Sequence, residues 1–260
     1  MSTRTDRLID WLLEGDVSIQ YQVHRDLLAA DETVLAPLQR RMESEGWGAK
    51  FLAMQNPDGH WGRGFYQPKW TCTHYTLLDL HCLGLPRDNP QAGRAVQMMF
   101  DTSATPDGSI NFATTNLPSD VCINGMALGY AAKGGKWNDG RRENVIHQAE
   151  ARAMEFILRH QLFMSDHTGE VIKPQFLMLS YPSRWYYDIL RALDYCQAAG
   201  VGYDERMAPA LSVLVKKRRA DGTWPLQAKH PGQVHFDMEE TGGPSRWNTL
   251  RALRVIRKYG

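Results

Sequence analysis

Phe51-Leu52-Ala53-Met54-Gln55-Asn56-Pro57-Asp58-Gly59-His60-Trp61-Gly62 carries an amphipathic stretch into a sharp turn. Proline presets φ at i+1 of a turn, and glycine supplies a positive φ without steric cost. The same punctuation returns at Pro106-Asp107-Gly108-Ser109-Ile110, Asp166-His167-Thr168-Gly169-Glu170-Val171 and Asp221-Gly222-Thr223-Trp224. The four glycines lie roughly 50–60 residues apart, the mark of a repeat protein.

Each turn follows a helical pattern. These patterns are predicted over Thr33–Gln55 (broken near Gly46 and Gly48), Pro90–Phe100, Asn144–Leu162 and Asp204–Arg219. Each turn then leads through an irregular loop to a proline-containing helix start, with helices expected over Thr71–Leu83, Ser119–Ala132, Ser183–Ala198 and Ser245–Tyr259. Two further helices, Leu8–Leu13 and Ile19–Ala30, come first, the second opened by Asp16 or Ser18. Extended structure is limited to short segments at Ile110–Thr114 and Val171–Met178. One repeat is thus an outer helix, a glycine turn, a loop and an inner helix. About five such pairs, each burying the next, predict a single all-α domain over residues 1–260.

The inner helices begin alike. Leu117-Pro118-Ser119-Asp120-Val121-Cys122 is echoed closely by Pro182-Ser183-Arg184-Trp185-Tyr186 and Pro244-Ser245-Arg246-Trp247-Asn248, and loosely by Pro68-Lys69-Trp70-Thr71-Cys72. Ser119 is placed to accept from a first-turn N–H. Aligned on their prolines, the copies put Trp70, Asp120, Arg184 and Arg246 in one layer. Cys72, Cys122, Tyr186 and Asn248 form the next, and His74, Asn124, Asp188 and Leu250 a third. If inner helices run parallel, these residues ring a mouth made positive by helix N-termini. A purely structural ring, with Asp120 paired to Arg184 or Arg246, satisfies the same pattern.

Phe51-Leu52-x-x-Gln55 followed by Asp58-Gly59-x-Trp61 resembles the Gln-Trp repeat of the squalene cyclase and protein prenyltransferase superfamily. Phe156-Ile157-Leu158-Arg159-His160-Gln161 before Gly169 resembles a copy without the tryptophan. Asp221-Gly222-Thr223-Trp224, with Arg219 near the usual glutamine, resembles another. The resemblance implies an α/α toroid: inner helices line a central cavity, outer helices wrap it, and the Gln and Trp tie loop to helix. Asp120-x-Cys122 also resembles the Asp-x-Cys zinc ligands of the prenyltransferase β subunits. The matching later helix offers Arg184-Trp185-Tyr186-Tyr187 where that family has a histidine, although His74 with Cys72, or His235, are substitutes. Zinc wants at least three good ligands, so the ligand count predicts no stoichiometric metal and no cofactor. The Asp-x-Asp-Asp acid of the cyclases is absent. Asp237-Met238-Glu239-Glu240 differs from it, and a carboxyl there serves as an acid only if burial raises its pKa.

Composition narrows the partners. The 260 residues are 43% hydrophobic, and 30 Lys and Arg against 29 Asp and Glu leave a net charge of +1. That balance gives no support for nucleic-acid binding. Lys216-Lys217-Arg218-Arg219 falls at a helix C-terminus, where cations complement the dipole. No apolar run approaches the roughly 20 residues of a membrane span. Met1-Ser2-Thr3-Arg4 opens onto no signal core, and Cys72, Cys82, Cys122 and Cys196 form no CxxC pair, so a cytoplasmic protein with reduced thiols is expected. The leading expectation is an enzyme acting on a small hydrophobic or isoprenoid substrate. Asp120 would be its acid, base or ligand, Arg184 and Arg246 would hold an anionic group, and Trp185, Tyr186 and Trp247 would line the wall, with Cys72, His74 and Cys122 beside them. A non-catalytic toroid for ligand or protein binding, and a zinc-dependent thiol or hydrolytic enzyme, are the alternatives.

Overall fold

The computed structural model describes residues 4–113, 118–131 and 140–260. Thr114 to Leu117, and the expected helix end at Ala132, lie outside the described residues. The chain is mostly helical. Its α-helices are α1 (Arg4–Leu13), α2 (Val17–Asp26), α3 (Glu32–Arg41), α4 (Gly46–Ala53), α5 (Thr73–Leu83), α6 (Pro90–Ser103), α7 (Val121–Ala131), α8 (Gly140–Arg159), α9 (Ile189–Ala198), α10 (Ala208–Lys216) and α11 (Arg246–Tyr259). One small antiparallel sheet joins β1 (Trp224–Pro225) to β2 (Pro244–Ser245), pairing Trp224 with Ser245. The chain divides into two compact units. The first combines Gly15–Gly135 with Pro231–Met238, and the second combines Met1–Glu14, Lys136–His230 and Glu239–Gly260.

In the first unit, Asp16 organises the entry. One carboxylate oxygen accepts from Ser18 N at 2.9 Å and caps α2, while the other accepts from Trp47 N at 2.7 Å and holds the start of α4. A Cβ on Gly46 would lie 2.2 Å from that second oxygen, and Gly46 sits at φ +65, so only glycine fits. From Thr73 to Leu80 every residue of α5 is buried, whereas α6 buries only Ala95 and Met99. Such asymmetry is what an enclosed helix and a surface helix show. Gly84, at φ +96, ends α5 in a left-handed cap.

The second unit repeats the contrast. Residues Trp247 to Ala252 of α11 are all buried, while α10 buries Ala210 and Leu214. Leu158, Ile189, Leu193, Leu214, Trp224 and Val255 share one core.

The repeat turns share a hydrogen-bond pattern. In Asn56–His60, Thr105–Ser109 and Arg219–Thr223 the first N–H donates to the fifth carbonyl, at 2.8 Å in all three. The glycine N–H returns to the first carbonyl at 2.9, 2.8 and 3.0 Å. The aspartate accepts from the N–H two residues on, at 2.9, 3.0 and 2.9 Å. Gly59, Gly108 and Gly222 have φ of +88, +83 and +96, as the turn chemistry requires. At Gly169 (φ +71) the turn is one residue longer, running from Ser165 to Glu170.

Behind two of these turns sits one tryptophan lock. The Trp61 indole donates to Phe51 O at 2.6 Å, and Trp61 N donates to Thr73 Oγ1 at 3.0 Å. The Trp224 indole donates to Leu214 O at 2.8 Å, and Trp224 N donates to Thr249 Oγ1 at 2.9 Å. In each case the ring binds the preceding helix and the backbone binds the following one. At the Gly108 turn, which has no tryptophan, Ile110 N donates to Asn124 Oδ1 at 2.7 Å and Asn124 Nδ2 donates back to Ile110 O at 2.9 Å, so an asparagine of α7 takes the place of the ring. Gln55 adds a bond from Nε2 to Gly59 O at 2.9 Å. Both ends of each buried lock are satisfied, which matters because an orphaned buried N–H costs roughly 1–3 kcal/mol.

The helix starts depart from the proline alignment. Ser245 caps α11, accepting from Asn248 N at 2.9 Å. Ser183 begins no helix: Arg184 takes a left-handed conformation at φ +55, and α9 starts only at Ile189. There Asp188 is the cap, accepting from Arg191 N at 2.8 Å and from the Ser180 hydroxyl at 2.9 Å. A carboxylate with its own donor outcompetes a serine hydroxyl for the first-turn N–H groups. Caps thus fall at Cys72, Asp120, Asp188 and Ser245, at unequal distances from the prolines, so the prolines do not mark equivalent helix positions. The segment after Val171, expected to be extended, holds a 3-10 turn at Pro174–Leu177.

Candidate functional site

Asp120 and Cys122 stand at the start of α7, and both are exposed. Asp120 Oδ1 accepts from Cys122 N at 2.7 Å, so the carboxylate that sequence offered for catalysis works as a helix cap. Among the described residues no three His, Cys, Asp or Glu side chains converge as a metal site would need. His235 is engaged elsewhere, its Nε2 lying 2.9 Å from Thr76 Oγ1.

Cys72 and His74 do come together, in the first unit. Cys72 is the last residue before α5, and its thiol donates to Lys69 O at 3.1 Å. His74, in the first turn of α5, is completely buried. Its ring meets those of Tyr75, Phe112, Tyr130 and Tyr66, with centroids 4.9, 5.3, 5.6 and 6.1 Å away. Phe112 stacks in turn on Phe65 at 5.3 Å. Nδ1 of His74 is 2.9 Å from the Tyr130 hydroxyl, which also reaches Met99 Sδ at 3.3 Å. Nε2 is buried and meets no hydrogen-bond partner among the described residues. Burial alone pushes the His74 pKa down to about 4, so the ring is neutral. Burial, with the Cys72 sulfur adding to it, holds the Tyr130 phenol well above its ordinary value. The result is a buried nest of aromatic faces around one neutral imidazole. Tyr130 also lines a narrow cavity with Leu77, His81, Ala92 and Val96.

In the second unit, Arg184, Trp185 and Tyr186 form a different cluster. Trp185 stacks on Tyr186 at 4.2 Å, and Tyr186 stacks on His230 at 3.7 Å. Arg191 of α9 donates to the carbonyls of Arg184 and Tyr186 at 2.9 and 2.6 Å, which fixes the left-handed bend between them. Burial lowers the His230 pKa, Arg184 and Arg191 push the same way, and Asp188 opposes them. Arg184 is buried and Trp185 is exposed.

Arg246 donates to Trp11 O at 2.9 Å and lies over the Trp11 ring at 4.5 Å. Trp247 is buried against Tyr181, with centroids 4.6 Å apart. Glu239, from the acidic cluster, accepts from the Ser245 hydroxyl and from Trp247 N, and braces the start of α11. Burial raises its pKa, and these hydrogen bonds hold it back. In the basic run, Lys217 donates to Gln227 Oε1 at 2.8 Å and Arg218 covers the Trp224 ring.

Sequence reasoning reached Cys72 and His74 but missed Tyr66, Tyr75, Phe112 and Tyr130. Tyr66 and Phe112 lie in the loops that follow the first two glycine turns, so the repeat pattern marks where such residues arise. Arg191 and His230 were missed because their partners are backbone carbonyls and a stacked ring, which leave no motif. No protein family model, curated protein or solved structure matches the chain.

Proposed function

We propose that the chain is an α/α toroid of the squalene cyclase and prenyltransferase type, acting on a small apolar, isoprenoid-like molecule at the nest around His74. Three common features support the architecture: the repeated turn, the tryptophan locks and the contrast between enclosed α5 and α11 and the stripe-buried α6 and α10. The single observation carrying the function is the buried, neutral His74, whose Nε2 lies among aromatic faces with no hydrogen-bond partner among the described residues. Aromatic side chains around a small number of placed polar groups are the usual lining of small-molecule sites.

In this reading His74 Nε2 is the proton acceptor, while Tyr130 sets its tautomer through Nδ1. Asp120 orients α7, the helix that brings Tyr130. Arg184 and Arg246 serve the second unit, where Arg184 is held in place by Arg191. A cytoplasmic setting accompanies this reading, with Cys72, Cys82, Cys122 and Cys196 as free thiols.

Organic extraction and mass spectrometry of purified protein provide the test. Wild type should retain a small apolar molecule that Tyr66→Ala and His74→Phe variants release. Equal retention by all three proteins would remove the nest as the site. A ligand recovered unchanged after prolonged incubation would favour a binding protein over an enzyme.

A further inference from the structure

We infer that a cavity in the second unit, between α1 and the Gly222 turn, binds a small zwitterion with an apolar body: a free apolar amino acid or its dipeptide. The cavity shares no residue with the His74 nest, so the inference stands or falls apart from the function proposed above.

The cavity measures about 520 Å³, within the range of small-molecule pockets. Helix α1 supplies Arg7, Leu8 and Trp11, the turn supplies Asp221 and Thr223, and β2 supplies Pro244. Leu8 and Thr223 are buried, so the lining includes the packed interior of the unit. Two of these side chains are held in advance. Arg246 donates from Nε to the Trp11 carbonyl at 2.9 Å, lies over the Trp11 ring at 4.5 Å, and is itself 3.7 Å from Glu14. Asp221 Oδ1 accepts from Thr223 N at 2.9 Å and from the Thr223 hydroxyl at 2.7 Å. These bonds hold the Asp221 carboxyl below its ordinary pKa, so it is charged at neutral pH. Asp221 Oδ2 faces Arg219 Nε at 3.7 Å, longer than a hydrogen bond, so a ligand ammonium can compete for that oxygen.

The chemistry of the ligand follows from this lining. Leu8, Trp11 and Pro244 offer apolar surface, which calls for an apolar body. Arg7 presents a guanidinium, whose planar fork matches a carboxylate. Asp221 presents the opposite charge. A ligand with a carboxylate alone gains Arg7 but is repelled by Asp221, and an ammonium alone meets the reverse. A diphosphate suffers more from Asp221 than a single carboxylate does. A ligand bearing one charge of each sign gains from both residues. Arg7 and Asp221 are exposed, so each contact should change affinity roughly two- to fivefold, the range of exposed ion pairs, and should weaken with salt.

Calorimetric titration of the full chain at low ionic strength tests this. The probes are L-leucine, L-leucyl-L-leucine, the N-acetylated dipeptide, which lacks the ammonium, and the dipeptide amide, which lacks the carboxylate. The dipeptide should bind more tightly than either derivative by roughly two- to fivefold. Whether leucine or the dipeptide binds more tightly tells which source of the zwitterion the cavity fits, and either order satisfies the inference. Asp221→Asn keeps the Oδ1 acceptor of the turn and removes the charge, so it should bind the acetylated and free dipeptides alike. Arg7→Gln should bind the amide and the free dipeptide alike. The indole 15N resonance of Trp11, assigned through Trp11→Phe, should move on binding, which ties the ligand to this cavity in the wild-type protein. A derivative that binds wild type as tightly as the dipeptide, or a discrimination that survives in its matching variant, would overturn the inference. So would an unmoved Trp11 resonance, or no binding by any of the probes at millimolar concentration.

Discussion

Thr249→Val isolates the chemistry of the tryptophan lock. Thr249 and Trp224 are both completely buried, and Trp224 N donates to Thr249 Oγ1 at 2.9 Å. Valine keeps the shape of threonine and removes the acceptor, so Trp224 N–H stays buried without a partner. The cost should be about 1–3 kcal/mol. Thr249→Ser is the matched control, since it keeps the oxygen and loses one methyl group, worth about 0.8 kcal/mol of transfer free energy. Urea denaturation should rank wild type above the serine variant and the serine variant above the valine variant. Native-state hydrogen exchange adds a local measure, because the Trp224 amide should exchange faster in Thr249→Val and nearly normally in Thr249→Ser. A valine variant as stable as wild type, with an equally protected Trp224 amide, would refute the claim that this bond locks turn to helix.

Glycine substitutions should separate conformational from steric cost. A Cβ on Gly59 (φ +88) would meet only Met98 Cε at 3.7 Å, so Gly59→Val should cost roughly 1–3 kcal/mol through its backbone angle. A Cβ on Gly62 (φ +64) would lie 2.8 Å from Thr71 O, so Gly62→Ala should lower the melting temperature further than Gly59→Ala. Acid titration of stability should show His74: its folded pKa, about 4, is below the ordinary 6.5, so the unfolded chain binds the extra proton. Stability should then fall as pH drops through that window and His74→Phe should flatten the slope, whereas identical slopes would mean that another group carries it. Elemental analysis of protein purified without a metal-affinity tag should find no stoichiometric zinc. About one zinc per chain, lost in Cys122→Ala, would move the zinc-enzyme alternative to first place.

The turns were legible because their chemistry is local. Asp-Gly at fixed spacing dictates the backbone angle, and the tryptophan two residues after Gly59 or Gly222 finds a carbonyl ten residues back in both copies. Helix starts were less legible because they depend on competition. Pro182-Ser183-Arg184-Trp185 and Pro244-Ser245-Arg246-Trp247 read alike, yet Ser245 caps its helix and Ser183 yields to Asp188. The difference lies in Ser180, whose hydroxyl supports Asp188, and in Glu239, which braces Ser245. Neither partner is visible in the repeated string. For the candidate site, Cys72 and His74 were reached by aligning the repeats on their prolines. The rings that give His74 its character come from Tyr66, Phe112 and Tyr130, and no spacing rule along one helix brings them together. Asp120 drew attention for its residue type, but exposure and the capping bond to Cys122 N define what it does in the fold.

The two tryptophan locks differ in one respect that bears on how such a chain diversifies. The backbone bond from Trp61 to Thr73 spans 12 residues, and the one from Trp224 to Thr249 spans 25. The clasp closes with the same geometry around either length, so the segment between turn and following helix is free to grow while its anchors stay in place. Lengthening such a loop carries only a slowly rising entropy of closure, about 0.6 kcal/mol per doubling. New side chains can therefore be introduced between the clasp points without disturbing the helices, as Tyr66 and Trp70 are carried in the shorter segment. A graft of a dozen residues between Trp61 and Thr73 is the corresponding engineering move, and it would turn a repeated joint into a site for invention.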